Sequence, residues 1–441
     1  MNDHLRWIGW LGACLIAGCG GGGGGGAGSS SSLASPGSSS SSSSSGAAAA
    51  NTVAVTVDAG PAAANGGTFN IPYASVKLCQ PGTATCATID YMLVDTGSSG
   101  VRIMASALAA AGLTLTRTPD PANASNSIAE CLPFADGYTW GPVATADVSL
   151  GGELASDVSV NIIDDDGSYS AAAPSSCINS LSSSTTSLNS VVAFSANGVL
   201  GVGVVDQDCG ASCADCGSYS SGCTAMNDQY YSCGASSSSC AFTPVIMTAQ
   251  VRNPVALFAT DNNGVILALQ SIPTAGQTGA SGTLTFGIDT QSNNALGSAF
   301  VLTLDGNYSF TTTFNGQSLA YSFMDSGSNG LFFPDSSIRV CPNTKANPYA
   351  SDFYCPTSTL SLTATNQNQS GATSAVNFQV SNESAIPNTF YADAAIGGSA
   401  ITTGSVGPYF DFGLPFFYGR SVFTAIEGKS AGSQIGPFYA Y

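Results

Sequence analysis

Twice in this chain an apolar run leads straight into an Asp–hydroxyl–Gly–Ser turn. Tyr91-Met92-Leu93-Val94 enters Asp95-Thr96-Gly97-Ser98, and 230 positions later Tyr321-Ser322-Phe323-Met324 enters Asp325-Ser326-Gly327-Ser328. Roughly a hundred residues after each copy comes an apolar pair with a glycine: Val199-Leu200-Gly201 after the first and a degraded Asp411-Phe412-Gly413 after the second. One such turn in a chain with 52 Gly would say little, since Asp, Ser and Gly are ordinary loop residues. The repeated order of parts constrains far more. It predicts two duplicated halves, each delivering one aspartate from the end of a buried strand.

The rest of the chain reads as β. Val53-Ala54-Val55-Thr56-Val57, Val158-Ser159-Val160-Asn161-Ile162, Gly282-Thr283-Leu284-Thr285-Phe286 and Ala299 to Leu304 alternate between Gly, Asn, Asp and Ser turns, which is the signature of antiparallel strands. Helical periodicity is confined to Arg102–Leu113 and Pro244–Gln250. The expected class is all-β with a few helical turns.

Charge removes several functions. Nine Lys and Arg stand against 27 Asp and Glu, a formal charge of -18, so the basic footprint of a nucleic-acid binder is missing and no nucleic acid is expected as a partner. The one histidine, His4, lies in the expected leader, which excludes Ser-His-Asp, Cys-His and His-based metal chemistry from the mature chain. Lysines are limited to Lys77, Lys345 and Lys429, and all but four of the acidic residues are Asp. General acid and base work falls to aspartates. No cofactor and no metal is expected. The triplet Asp164-Asp165-Asp166 reads as a solvated loop, with calcium as the alternative.

The N-terminus reads as an address. Trp7 to Ala17 is a short apolar run behind Arg6 and ends Leu15-Ile16-Ala17-Gly18-Cys19, similar to a bacterial lipobox, so residues 1–18 are expected to be a signal peptide and Cys19 a lipid anchor. An ordinary signal peptide is the alternative. Gly20 favours the outer membrane. Residues 19–51, almost wholly Gly, Ser and Ala, read as a flexible tether. The folded part divides into an N-terminal lobe, 52–278, carrying a Cys-rich insert at 206–242, and a C-terminal lobe, 279–441.

Of 14 cysteines, 12 remain once Cys14 and Cys19 are set aside, an even number in an exported chain, and disulfides are the default. Cys79 and Cys86 bracket a turn and predict a stapled hairpin. Cys341 and Cys355 predict a local loop, and Cys177 is the candidate partner for Cys131. Cys209, Cys213, Cys216, Cys223, Cys233 and Cys240 read as a disulfide-knit insert, with a zinc knuckle at Cys213 and Cys216 as the rival.

From about Val53 to Tyr441 this constellation resembles the pepsin-like aspartic peptidases. Asn197 to Gly203 looks like that family's apolar-Gly segment of the first lobe, Pro254 to Ala259 with Thr285 to Asp289 like its passage between lobes, and Pro408 to Glu427 like its C-terminal strand pair. The resemblance implies a bilobal all-β fold with an inter-lobe cleft, Asp95 and Asp325 as the catalytic pair, and hydrolysis of a peptide or protein substrate by an activated water. It also implies that Ser98 and Ser328 donate to the outer carboxylate oxygens and that Thr96 and Ser326 tie the two loops together. Gly97 and Gly327 let the backbone turn tightly beneath the carboxylates and present amides to them. Two departures stand out. Arg102 occupies what looks like the family's tryptophan position after the first aspartate. Phe134 to Gly141 falls where a hairpin flap belongs but with different glycine spacing, which leaves Tyr138 either as the flap residue or, with Trp140, as a strand-surface aromatic.

A lipid-anchored aspartic endopeptidase, monomeric and held at the membrane through Cys19, is therefore the leading expectation. An inactive pepsin-like binding or inhibitory module at the cell surface is the second, because a fold does not guarantee its chemistry. A disulfide-stabilised adhesive surface protein is the third.

Overall fold

The structure is a computed structural model that describes residues 51–64, 66, 68–134, 137–179, 186–214, 229–234, 240–343, 350–400 and 407–441. The expected leader, the expected anchor Cys19, nearly all of the expected tether, and Cys216 and Cys223 of the insert lie outside the described residues. The chain is all-β with a few short helical turns. Its strands make a sheet system of seventeen, a second of seven and a two-stranded ribbon among the described residues.

The alternating runs become the strands they predict. Thr52–Val57 pairs antiparallel with Ala280–Phe286, which pairs in turn with Gly264–Leu269, and this last pairs with Ser421–Ala425 near the C-terminus. One sheet therefore takes strands from both sides of position 278, and the expected lobe boundary runs through paired strands. The main apolar core is continuous in the same way: Val55, Val94 and Leu200 belong to one buried cluster with Phe286, Met324, Phe412 and Tyr439.

The two helical candidates shrink. Ala105–Ala110 is helical, whereas Arg102 lies in the strand Ser99–Met104, paired with Val199 on one side and Asn161 on the other. Between Pro244 and Gln250 only a single 3-10 turn forms, Met247–Ala249. Pairing on both edges outweighs a weak helical period. Ala299–Leu304 narrows to Val301–Thr303, held against the C-terminal strand Phe438–Ala440.

Five disulfides are described. Cys79–Cys86, Cys131–Cys177 and Cys341–Cys355 match the expected pairs. In the insert Cys209 bonds Cys213 and Cys233 bonds Cys240. The rival zinc reading is corrected here, because the Cys213 sulfur is already spent on Cys209. The acidic triplet is engaged by backbone and hydroxyl donors: Asp164 accepts from the Tyr169 amide and Asp166 from the Ser168 amide in their own loop, and Asp165 from the amide and hydroxyl of Ser106 at the start of the helix Ala105–Ala110.

Candidate active site

Each aspartate ends a strand that another strand locks from beside. Gly198–Val202 lies parallel to Cys86–Asp95, with Leu200 opposite Val94 and Gly201 opposite Asp95, and antiparallel to Ser99–Met104. Ser99–Met104 then runs parallel to Glu153–Ile163. The second copy repeats this crossing pattern. Asp411–Phe412 lies parallel to Gln317–Met324, just before Asp325, and antiparallel to Leu331–Phe333, which runs parallel to Gly397–Ser399. The duplication legible in the sequence is thus a duplication of topology.

The two turns meet. The Thr96 amide donates to Ser326 Oγ at 3.0 Å, and the Ser326 amide donates to Thr96 Oγ1 at 2.9 Å. Each hydroxyl then reaches past its partner turn to the strand behind it: Ser326 Oγ donates to the Val94 carbonyl at 2.7 Å and Thr96 Oγ1 to that of Met324 at 3.4 Å. Within each turn the carboxylate folds back on its own backbone. The Gly97 amide donates to Asp95 Oδ1 at 2.8 Å and the Gly327 amide to Asp325 Oδ1 at 2.7 Å. The outer oxygens take hydroxyls, Asp95 Oδ2 from Ser98 and Asp325 Oδ2 from Ser328. The glycines are required by proximity. A Cβ on Gly97 would stand 2.5 Å from Asp325 Cγ, and one on Gly327 would stand 2.7 Å from Asp95 Oδ1 and 3.0 Å from Asp325 Oδ1.

The carboxyl groups of Asp95 and Asp325 therefore face each other, close enough to interact through a hydrogen bond, and both are buried. Burial first, then the charge of Asp95 and that of Asp411, push the Asp325 carboxyl well above the usual carboxylate range. A pair of this kind titrates as a unit and keeps a proton between its members over a broad range.

Three features of the neighbourhood are not legible as motifs. Arg102 is wholly buried. Its guanidinium grips Glu130 through Nε at 3.2 Å and Nη2 at 2.7 Å, reaches Asp208 at 2.8 Å, and donates to the Ser99 carbonyl at 2.9 Å. Glu130 sits on the hairpin strand Asn123–Phe134, so the buried cation ties that hairpin to the strand after Asp95. Burial would raise the Glu130 carboxyl, but Arg102 overrides it and holds it low, whereas burial and the charge of Glu130 push Asp208 well up. Asp208 also accepts from the Tyr230 hydroxyl and from Gln229, both at 2.7 Å.

Tyr138 is the second feature, and here the expectation is corrected. It pairs with Pro133 in the hairpin but is buried with Trp140, Tyr169, Cys177 and Tyr231, and Trp140 donates its indole N–H to the Ala171 carbonyl at 2.7 Å. Neither aromatic is a strand-surface residue, and Tyr138 belongs to the hairpin's own core. The Cys131–Cys177 bond lies within this cluster.

The third is a clamp on the second turn. Asn70, with φ of 58°, donates to the carbonyls of Asn329 at 2.9 Å and Asp393 at 2.8 Å, and its Oδ1 accepts from the Asp393 amide and the Tyr418 hydroxyl. Burial raises Asp393 from 3.8 to about 6. A carboxyl raised on folding favours the native state fully below its unfolded value and loses that contribution as pH climbs through the folded value. Stability should thus fall between about pH 4 and pH 7 by up to about 3 kcal/mol through this group. Asp393→Asn should remove that part of the fall, as read by urea unfolding across the window. An unchanged slope in the variant would refute the assignment.

No curated protein matches the chain. Among solved structures it is similar to the crystal structure of aspartic proteinase from Irpex lacteus, at 15% identity and a TM-score of 0.45, over 88% of this chain and 96% of that one. The model of a family described as protein of unknown function, DUF3443, matches residues 47–441, and the chain belongs to that family.

Proposed function

We propose that this protein is an aspartic endopeptidase that hydrolyses peptide bonds through Asp95, Asp325 and a water between them. The observation that carries the reading is the facing of two equivalent carboxyls, each held by its own glycine amide and serine hydroxyl, on turns bonded reciprocally through Thr96 and Ser326. Asp325, pushed upward, keeps the shared proton and polarises the scissile carbonyl. Asp95 takes a proton from the water as it attacks. The amides and hydroxyls fix both carboxylates without offering a competing base. Incubation with a denatured protein between about pH 3 and 7, with and without a transition-state inhibitor of aspartic peptidases, tests it: inhibitor-sensitive cleavage supports the reading and its absence over the whole range rejects it.

The Cys19 anchor, export to the outer membrane or its periplasmic face, and a monomeric state complete the proposal, on the strength of the lipobox-like run Leu15 to Cys19. A pepsin-like module that binds peptides without cleaving them is the second reading, favoured by the burial of Tyr138 in the hairpin core.

Gly97→Ala offers a sharp test of the geometry. The added methyl would press on the Asp325 carboxyl group and part the pair. Cleavage should drop about a hundredfold or more, as it does when reacting groups are displaced by an ångström, with KM little changed in steady-state kinetics. Full activity in this variant would show that the facing pair is not the reacting site.

A further inference from the structure

The strand beside the second aspartate carries a carboxyl where the first copy carries a methyl-bearing side chain. In register Val199 lies opposite Leu93, two residues before Asp95, and Asp411 lies opposite Phe323, two residues before Asp325. Asp411 is fully buried, with Phe410 and Phe412 stacked on either side of it in sequence at 4.1 Å between ring centres. Its Oδ2 lies 2.6 Å from Ser328 Oγ, and Oδ1 has no hydrogen-bond partner.

Proton counting decides what this means. Ser328 Oγ contacts two carboxyls, Asp325 Oδ2 at 3.0 Å and Asp411 Oδ2 at 2.6 Å, and a hydroxyl has a single proton to give. The Oδ1 atoms of Asp95 and Asp325 both lie by Gly327, and a proton shared on that inner side is the one the peptidase reading requires. Oδ2 of Asp325 is then an acceptor, as Oδ2 of Asp95 is for Ser98. With the Ser328 proton given to Asp325, the short contact to Asp411 is favourable only if Asp411 brings its own proton.

We propose that Asp411 stands in the site as a neutral carboxylic acid, a positioning residue that donates to the Ser328 hydroxyl, commits that hydroxyl to Asp325 and sets how far up the pH scale the pair stays competent. The chain runs Asp411 Oδ2–H to Ser328 Oγ–H to Asp325 Oδ2, each link strengthening the next. When Asp411 ionises, the Ser328 proton turns to it and Asp325 loses its donor. The titratable groups facing Asp411 are Asp325 on the turn, Asp95 on the opposite turn and Tyr439 on the C-terminal strand; the flanking strand Leu331–Phe333 and the turn Leu414–Phe416 present apolar side chains. Among the described residues no cation offsets a charge there, and burial, with the charge of Asp95, pushes the Asp411 carboxyl well up.

The pH-profile part rests on the peptidase reading, so the test has an arm that needs no activity. Infrared difference spectra near neutral pH, in which the other raised acids Asp325 and Asp208 cancel, should show a protonated-carboxyl C=O band for wild type minus Asp411→Asn and lack it for wild type minus Asp95→Asn. If the Asp411→Asn difference spectrum lacks that band, the neutral acid is refuted, whether or not the protein cleaves anything. In the activity arm Asn retains a donor toward Ser328 and cannot ionise, so the upper apparent pKa of kcat/KM should rise by about half a unit or more. Asp411→Val, which copies Val199, removes the donor, and kcat should fall about tenfold relative to the Asn variant with KM unmoved. Asn and Val variants with identical profiles would overturn the positioning role.

Discussion

Asp95→Asn and Asp325→Asn should each abolish peptide hydrolysis, by about four orders of magnitude or more, while the fold persists. Either change leaves one titrating carboxyl, so the shared proton and the activated water are lost together, and the double variant should be no worse than the single ones. Asn keeps an oxygen to accept the Gly97 or Gly327 amide, and its NH2, standing where Oδ2 stood, can donate to the serine hydroxyl oxygen, so the turns should hold. Stability near neutral pH should stay equal or rise, because burial and the facing charge make ionisation at Asp325 costly. In the wild type, activity should fade as pH rises through the upper apparent pKa of the pair. Initial rates on a denatured substrate, with thermal unfolding of the same preparations, check both halves. Undiminished cleavage in the two variants would mean that another group does the chemistry.

The second large effect is on stability. Arg102→Met should cost about 3–5 kcal/mol, because it leaves Glu130 as a buried anion with no cation beside it. That is a large part of the 5–15 kcal/mol by which domains are typically stable. Most of the cost is the stranded charge and not the lost contact, so adding Glu130→Gln to Arg102→Met should recover a good share of it. A double-mutant cycle in urea gives the coupling. A loss under about 1 kcal/mol for the single variant, or strict additivity, would show that the interior tolerates the charge. Because Glu130 belongs to the hairpin strand, loosening of the hairpin should show first, as faster amide exchange over Asn123–Leu150.

Much of the molecule was legible from residues alone because the information is local. Alternation along Val53 to Val57 specifies a strand with one face inward, and the same alternation along Val158 to Ile162 specifies a strand, although there both faces are buried. Cys79 and Cys86 flank a turn short enough that no other partner competes, and Cys341 with Cys355 is nearly as local. The Asp-x-Gly-Ser turns are local too: glycine amide and serine hydroxyl reach the carboxylate from two and three residues away. Their repetition then announced the pairing of the two halves.

Tertiary structure decided whatever depends on partners chosen across strands. Asp411 read as a blemish in an apolar-Gly segment, and register alone sets it against Ser328, 83 residues earlier in the chain. Arg102 read as a misfit at a tryptophan position. Its acids arrive from 28 and 106 residues away, on elements whose pairing periodicity does not specify. Tyr138 had the right place in sequence for a residue over the site, yet the disulfide-linked cluster beneath the hairpin offered its ring more apolar surface than an open position could. Asn70 carried no signal at all, being one more Asn in a turn-rich stretch, and only the approach of Asn329, Asp393 and Tyr418 makes it a clamp. A sequence states which faces must be buried, but which buried groups meet is settled by sheet register and by the cost of leaving a polar atom unmatched.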